Sequence, residues 1–336
     1  MAANIHDVAA LAGVSPRTVS NVVNDFVHVR PETRVRVQAA IEKLGYRPNI
    51  SARRLRQGKT RILAFAVPEL SQPYFSELSE LIERAAQRRG YTVMAAQTGG
   101  LRERELGILR EFGSHVVDGL ILSPMVLQAD DLMANRPSVP VVLIGEQISS
   151  EAFVDIAIDN VRAVHDLTGH LIDTGRTRIA ALGAYSSPGY RSADLRLEGY
   201  RSALAAAGIP FDASRILYTD QYSRQAGHRA VHEAVERGLD FDALVCFNDV
   251  LALGALRALA DRGISVPEQV AVTGMDDIDD SAYCVPSLTT ISPDKEAIAE
   301  SAVARLLELI DDPEADASDI EPSFRLITRE SSASLR

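Results

Sequence analysis

From residue 61 onward, short apolar runs rich in β-branched residues alternate with longer stretches in which apolar and charged positions recur at helical spacing. The apolar runs are "RILAFAVP", "YTVMAAQT", "DGLILSP", "VPVVLIGE", "VDIAID", "RIAALGA", "ALVCFND" and "VAVTGMDD". Helical stretches such as "ELSELIERAAQRRG" and "DVLALGALRALADRG" lie between most of them. This alternation predicts parallel sheets covered by helices on both faces. Roughly 270 residues exceed the usual size of a single core, so we expect two α/β lobes with a ligand cleft between them.

The first 48 residues follow a different pattern, which predicts three short helices. Asn4 is placed to cap the first helix, with Asp7 as its capping-box partner. Gly13 permits a sharp turn, after which Ser15 caps a second helix that starts at Pro16. The expected buried positions are Val8, Ala9, Leu11 and Ala12 on the first helix and Val19, Val22 and Val23 on the second.

The second helix has a polar outer side. Its members are Arg17, Ser20, Asn21 and Asn24. A third helix is expected from about Pro31 to Leu44, ending near Gly45. Two helices joined by a glycine-containing turn, the second polar on its outer side, predict a helix-turn-helix that reads the major groove of DNA. The alternative is a small helical bundle that docks on the rest of the protein.

The charge of the chain is distributed unevenly. The 336 residues carry a net charge of −11, yet residues 1–60 contain ten Lys or Arg and four Asp or Glu, a net charge of +6. The remaining 276 residues contain 25 basic and 42 acidic side chains, a net charge of −17. A basic head on an acidic body is expected when only the head binds a polyanion, and it favours a regulator over a DNA-packaging protein.

The composition, 46% apolar and 24% charged, is that of a globular protein. The N-terminus lacks the basic start and long apolar run of a secretory signal, and no segment approaches the ~20 apolar residues that span a bilayer. The two cysteines, Cys246 and Cys284, allow at most one disulfide. These features predict a protein of the reducing cytoplasm, without contact with a membrane.

The sequence resembles the LacI/GalR family of bacterial transcription regulators. The resemblance lies in "IHDVAALAGVSPRTVSNVVND", in "VRPETRVRVQAAIEKLGYRPNISARRLRQGKT" and in a series of later motifs. These are "VPELSQPYFSEL", "DGLILSP", "LRLEGYRSAL", "FNDVLALGALRAL", "VTGMDD", "PSLTTI" and "LITRES", in family order across nearly the whole chain. The resemblance implies an all-α helix-turn-helix head, a hinge helix and a two-lobed α/β core like that of periplasmic sugar-binding proteins.

The resemblance also implies roles for the second helix. Pro16, Arg17 and Asn21 occupy base-reading positions; an arginine can pair with guanine and an asparagine with adenine. Thr18, Ser20 and Asn24 are expected to contact phosphates. The chain departs from many relatives at Asn21, where they have Arg, and at Arg30, where a small capping residue is usual.

The segment 49–60 is basic and interrupted by Gly58. Its first eight residues are too few for a stable isolated helix, and Arg53, Arg54 and Arg56 repel one another. We therefore expect a hinge helix that forms only when phosphates neutralise these charges and a second copy packs beside it. The family resemblance makes Leu55 the apolar wedge that enters the minor groove. The alternative is a plain basic linker.

Polar and aromatic residues expected in the loops after strands are candidates for an effector site. They are Tyr74, Phe75, Arg196, Tyr222, Asn248 and Asp276. The family resemblance implies effector contact for all of them except Tyr74. Aromatic faces with carboxylate, amide and guanidinium groups suit a sugar or a nucleobase. Each residue also has a structural alternative: Asn248 or Asp276 as a helix cap, Arg196 as an ion-pair partner and Phe75 as core. Asp249 is assigned to helix capping.

The sequence predicts no enzyme, metal site or cofactor, since no catalytic constellation, P-loop or nucleophile elbow is found. We expect residues 1–48 to form the DNA-binding domain, 49–60 the hinge and 61–336 the core. Within the core, one lobe is expected to comprise about 61–160 and 292–322, and the other about 161–290 and 323–330. The leucine-repeat tail of tetrameric relatives is lacking, so a dimer on a pseudo-palindromic operator is expected.

The predicted function is that of a transcription regulator, a repressor as is most common in the family, controlled by a small molecule between the lobes. One rival is a periplasmic-type sugar-binding transport component, which shares the two-lobed body but needs a signal peptide and no basic head. The other is an α/β enzyme, which needs a nucleophile or an acid pair in the cleft.

Overall fold

The computed structural model describes residues 3–23, 26, 28–46, 59–112, 116–145, 148, 153–187, 189–316 and 318–333. The chain divides into two compact units, Met1–Thr60 and Arg61–Arg336. In the described parts of the chain, no helix is long and apolar enough to cross a membrane.

The first unit contains three helices in its described residues. They are α1 (Ile5–Ala12), α2 (Pro16–Val23) and α3 (Pro31–Leu44). The predicted capping box is confirmed, because Asn4 Oδ1 accepts from the backbone of α1 and the Asp7 carboxylate accepts from Asn4 N at 2.9 Å. Gly13 has the left-handed conformation with φ 64°, which a glycine adopts without strain. Arg30 makes no side-chain cap at the start of α3.

The core of this unit is built from small apolar side chains. The buried members are Val8, Ala9, Ala12, Val19, Val22, Val37 and Ala40. The prediction that Leu11 lies on the buried side is wrong, since 46% of this residue is exposed. The three buried residues of α1 already occupy the face that meets α2 and α3, and Leu11 lies at the edge of this face.

The second unit contains two twisted sheets. The first has the order β2-β1-β3-β4-β5 and is parallel throughout. Its strands are β1 (Ile62–Val67), β2 (Thr92–Gln97), β3 (Gly119–Leu122), β4 (Val141–Ile144) and β5 (Val154–Ile156). The helices that accompany it are α4 (Pro73–Arg88), α5 (Arg102–Phe112), α6 (Ala129–Ala134) and, from the C-terminal part of the chain, α12 (Lys295–Asp311).

The second sheet has the order β11-β10-β9-β8-β6-β7, and only its edge strand β11 is antiparallel. The strands are β6 (Ile179–Ala184), β7 (Ile216–Tyr218), β8 (Ala243–Cys246), β9 (Ala271–Met275), β10 (Thr289–Pro293) and β11 (Phe324–Ile327). The helices are α7 (Asn160–Asp173), α8 (Arg191–Ala206), α9 (Arg224–Glu236), α10 (Asp249–Asp261) and the short α11 (Asp279–Tyr283). Short 3₁₀ turns occur at Ala213–Arg215 and Glu330–Ser332.

The chain crosses between the two lobes three times. It passes from β5 to α7, from β10 to α12, whose apolar side packs in the core of the first sheet, and from α12 back to β11. The predicted helical head and two-lobed α/β core are confirmed. All eight predicted strands form, whereas β7, β10 and β11 were not predicted from the apolar pattern.

Candidate functional site

A cavity of ≈ 370 Å³ lies between the two sheets. Its walls come from the carboxyl ends of strands in both lobes, where open parallel sheets bind their ligands. All six residues predicted to contact an effector line this one cavity: Tyr74, Phe75, Arg196, Tyr222, Asn248 and Asp276. Tyr74 and Phe75 lie in the first turn of α4, and Arg196 lies on α8, so these three project from helices and not from loops.

One wall of the cavity is a stack of tyrosines. The rings of Tyr185 and Tyr190 are 3.8 Å apart between centroids and nearly parallel at 10°, and Tyr222 stacks on Tyr185 at 5.4 Å. Tyr74 and Phe75 form an edge-to-face pair at 5.3 Å elsewhere on the lining. Sequence reasoning missed Tyr185 and Tyr190, although Tyr185 directly follows an apolar strand and this was an available signal. Flat faces of this kind suit sugar rings and nucleobases alike.

The guanidinium group of Arg196 is held in place by two hydrogen bonds. Its Nε donates to Asn160 Oδ1 at 2.9 Å, and its Nη1 donates to the carbonyl oxygen of Phe247 at 2.6 Å. Asn160 is itself buried and lines the cavity. A planar donor fixed in this way is suited to paired acceptors on a ligand.

Asp276 is only 9% exposed and lies in a strained turn after β9. Its φ is 117° and that of Asp277 is 47°, a region that residues other than glycine adopt only when the surroundings enforce it. Burial raises the pKa of Asp276 to about 8; Arg196 opposes this shift and Asp249 adds to it. The carboxyl is therefore mostly protonated at neutral pH, able both to donate and to accept a hydrogen bond.

The assignment of Asp249 to helix capping is wrong. Asn248, not Asp249, is the N-cap of α10, with Oδ1 accepting from Leu251 N at 3.0 Å. Asn248 therefore lines the cavity and caps a helix at the same time. Asp249 is the first residue of the helix and fully buried. Burial raises its pKa to about 6, although hydrogen bonds from Thr290, Ser281 and the backbone lower it. Its carboxylate points away from the helix end to the loop that follows β9.

Two side-chain amides connect the lobes beside the cavity. Gln72, which precedes α4, donates from Nε2 to the carbonyl oxygen of Tyr222. Gln128, which precedes α6, donates from Nε2 to the carbonyl oxygen of Gly189 at 3.1 Å. Both acceptors belong to loops that carry the stacked tyrosines, so these bonds place the tyrosine wall relative to the first lobe.

The candidate DNA-reading side of α2 is partly described. Arg17 is exposed, and Pro16, Thr18, Ser20 and Asn21 are partly exposed, while Val19 and Val22 pack inward. Ser15 and Thr18 are joined at the helix start, where their hydroxyl oxygens are 2.9 Å apart and Ser15 Oγ accepts from Thr18 N. Asn24 and the hinge residues Arg53, Arg54, Leu55 and Arg56 lie outside the described residues.

The described residues offer no catalytic or metal-binding arrangement in the cavity. His170 Nε2 lies 2.7 Å from Ser332 Oγ, a nucleophile–base distance, but Ser332 is 1% exposed and donates to Thr289 Oγ1 instead. His228 and His232 lie one turn apart on α9, with their rings stacked at 5.7 Å between centroids. Within the described ranges, no group of three His, Cys, Asp or Glu side chains could hold a metal ion. Both cysteines are free thiols.

Comparisons with known proteins agree with the two units. Residues 4–49 match the family of bacterial regulatory proteins described as the lacI family, and residues 168–332 match a periplasmic binding protein-like domain. The HTH-type transcriptional repressor PurR of Aliivibrio fischeri is 33% identical over 98% of both chains. A lac repressor dimer bound to operator and the anti-inducer ONPF superposes with a TM-score of 0.86 at 28% identity, over 99% of both chains. A complex of the transcriptional regulator CelR with cellobiose gives 0.74 at 30% identity, over 98% of this chain and 99% of that one.

Proposed function

The chain belongs to the LacI family of bacterial transcription regulators, and on that premise we propose that it is a homodimeric repressor controlled by a sugar bound between its lobes. The observation that carries this proposal is the convergence of all six candidate residues on one cavity at the strand ends of both sheets. The cavity volume of ≈ 370 Å³ falls within the range of about 300–1,000 Å³ typical of small-molecule sites.

The chemistry of the cavity supports a polyhydroxylated ring. The tyrosine stack offers a flat apolar face, while Asp276 and Arg196 offer a carboxyl and a guanidinium group for paired hydroxyls. A homologous regulator of similar fold is described with cellobiose. A nucleobase is the second candidate ligand, because it would stack on the same tyrosines and pair with the same polar groups.

On the DNA side, α2 would enter the major groove with Arg17 and Asn21 toward base edges. Pro16 begins the helix there, and Thr18 and Ser20 would contact phosphates. Asn24, Arg53, Arg54 and Arg56 would add phosphate contacts, and Leu55 would enter the minor groove. Two copies would read the two halves of a pseudo-palindrome in the bacterial cytoplasm.

The switch follows from the three crossings between lobes. A ligand that contacts both walls of the cavity binds one arrangement of the lobes better than another, and it shifts the population accordingly. The segment 49–60 joins the first lobe to the head, so a change in lobe arrangement would alter the spacing of two paired heads. The shift can be no larger than the difference in ligand affinity between the two arrangements.

The test is a thermal-shift screen of the full chain with mono- and disaccharides and nucleobases, followed by selection of operator fragments from the source genome. The proposal expects a sugar to raise the melting temperature and to change operator affinity. Asp276→Ala should abolish the thermal shift and keep ligand-free operator affinity, whereas Asp130→Ala, on the exposed side of α6, should keep both. A nucleobase hit would replace the sugar. Absence of salt-sensitive, sequence-selective DNA binding would refute the repressor.

A further inference from the structure

The loop that presents Asp276 is contacted by two charged residues of the opposite lobe. Glu77 of α4 accepts a hydrogen bond at Oε1 from the backbone N–H of Asp279 at 3.2 Å. Lys295, the first residue of α12, donates from Nζ to the carbonyl oxygen of Asp277 at 2.9 Å. The two side chains also form a salt bridge with each other. Neither residue lines the cavity, so both act from behind its wall.

Lys295 also lies near a cavity-lining residue of the first lobe. Its Nζ lies 6.0 Å from the ring centroid of Tyr74, within the range of a cation–π contact. The ammonium group thus contacts the loop of Asp276, the helix that carries Tyr74 and Phe75, and the carboxylate of Glu77. Its side chain is only 12% exposed, so its interactions with these partners are screened less by solvent and salt than those of a surface ion pair.

The backbone of the loop requires such support. Two consecutive residues other than glycine, Asp276 and Asp277, have positive φ, and this conformation persists only where contacts on several sides enforce it. From the second lobe, Asp249 accepts from Ile278 N, and Arg329 pairs with the Asp277 carboxylate at 2.7 Å. Glu77 and Lys295 supply the corresponding contacts from the first lobe.

We propose that Glu77 and Lys295 form a latch between the lobes that positions the Asp276 carboxyl relative to Tyr74 and thereby sets the affinity of the cavity for its effector. The two are positioning residues, since they act through Asp276 and Tyr74 without contacting ligand. This inference rests on the proposed function for its consequence in binding. Its structural part, the support of the loop, is independent of the identity of the effector.

The decisive experiment is hydrogen–deuterium exchange of the full chain without ligand, followed by mass spectrometry of peptides covering 275–281 and 72–79. Lys295→Met should accelerate exchange in both peptides by about tenfold, because the loop and the helix lose their common contact. Lys295→Arg, which keeps a cation, should restore most of the protection. Glu77→Ala, a second variant in case Lys295→Met does not fold, should accelerate exchange mainly at 275–281.

The matched control is Glu300→Gln. Glu300 joins the same two helices, α4 and α12, through salt bridges with Arg88 and Arg89 that do not involve the loop. If the latch positions the loop, this control leaves exchange at 275–281 unchanged. Unchanged exchange in Lys295→Met, or equal acceleration in Glu300→Gln, would overturn the proposal, since the contact would then be absent or only general helix packing.

The consequence for binding is measured with cellobiose as the probe. Lys295→Met should weaken cellobiose binding to the full chain by about tenfold, as expected for lost pre-organisation. Wild-type protein that binds no cellobiose would count against the sugar effector and leave the exchange result to decide the latch. Wild-type affinity for cellobiose in a variant with accelerated exchange would refute the link between the latch and binding.

Discussion

The Thr290 hydroxyl donates to Asp249 Oδ1 at 2.6 Å, which joins β10 to the start of α10 inside the core of the second lobe. The other carboxylate oxygen of Asp249 accepts from Ser281 Oγ at 2.7 Å and from Ile278 N at 3.1 Å. Gly274 makes room for this carboxylate, since a β-carbon at that position would lie 2.2 Å from Asp249 Oδ1. The buried carboxylate of Asp249 therefore holds both β10 and the residues that follow Asp276 against the start of α10.

This arrangement predicts unequal effects for two neighbouring residues. Asp249→Ala leaves two hydroxyls and one backbone N–H buried without their acceptor, and it should lower the free energy of unfolding by roughly 3 kcal/mol or more. Asn248→Ala removes one N-cap hydrogen bond and should cost about 1 kcal/mol. Urea denaturation of both variants measures the difference. Equal losses would show that Asp249 has no role beyond the helix end.

The pKa of Asp276, raised to about 8 chiefly by burial, predicts a pH dependence of stability. The charged groups that act on it are Arg196 and Lys295, which lower the pKa, and Asp249 and Glu77, which raise it. The usual pKa of 3.8 applies to the unfolded chain, so the folded state holds the proton more tightly between pH 4 and 8. The protonated carboxyl therefore makes its full contribution to the free energy of unfolding at low pH, and this contribution is lost as the pH rises toward 8.

Asp276→Asn cannot lose a proton, so the variant should become more stable relative to wild type as the pH rises. The gain should be about 1.4 kcal/mol per pH unit between pH 5 and 7, or roughly 2 °C in melting temperature per unit, and it should flatten as the pH approaches 8. Melting curves of both proteins at pH 5.5, 6.5 and 7.5 measure it. Asp130→Asn serves as the control and should follow wild type at each pH. A difference that does not change with pH would contradict the raised pKa.

The fold was largely predictable because most strands are continuous apolar runs, which buried parallel strands require. The strands that were missed lack this signal. β7 has three residues, β10 contains Thr289, Thr290 and Ser292, and β11 contains an exposed arginine. Their assignment depends on neighbours that are distant in sequence. The burial of Leu11 was predicted wrongly because helical periodicity identifies the side of the helix that packs inward but not how wide the buried surface is.

The predicted cavity residues were found because parallel strands present their carboxyl ends to one edge, so residues after strands converge. The connections between them were not predictable. The bond from Arg196 to Asn160 links helices α8 and α7, and the burial of Asp249 depends on partners 29 to 41 residues away. Pairings of this kind are visible only in the tertiary structure. They determine which polar residues support the cavity wall and which are available to contact a ligand.

Arg196 is predicted to serve both stability and ligand binding. Arg196→Lys keeps the charge but cannot donate to Asn160 and to the Phe247 carbonyl together, so it should lower the free energy of unfolding by about 1–3 kcal/mol. The thermal shift caused by the ligand from the screen should disappear. Arg201→Lys, on the same helix with its guanidinium over Phe211 at the surface, should change stability by less than about 0.5 kcal/mol. Full ligand response in Arg196→Lys would remove this residue from the site.

Arg17 is predicted to read a base, whereas other arginines of the head provide only charge. It is exposed on α2, where a guanidinium group can pair with guanine. Arg17→Ala should therefore weaken operator binding by about 1–3 kcal/mol and relax the sequence preference at one base pair. Arg36→Ala removes the same charge from the exposed side of α3, and any loss of binding should be equal for all DNA sequences. Binding to the selected operator and to single-base variants, titrated at two salt concentrations, separates the two effects. Uniform weakening of every sequence by Arg17→Ala would assign that residue to phosphate contact, and the reading of bases would then fall to other residues of the helix.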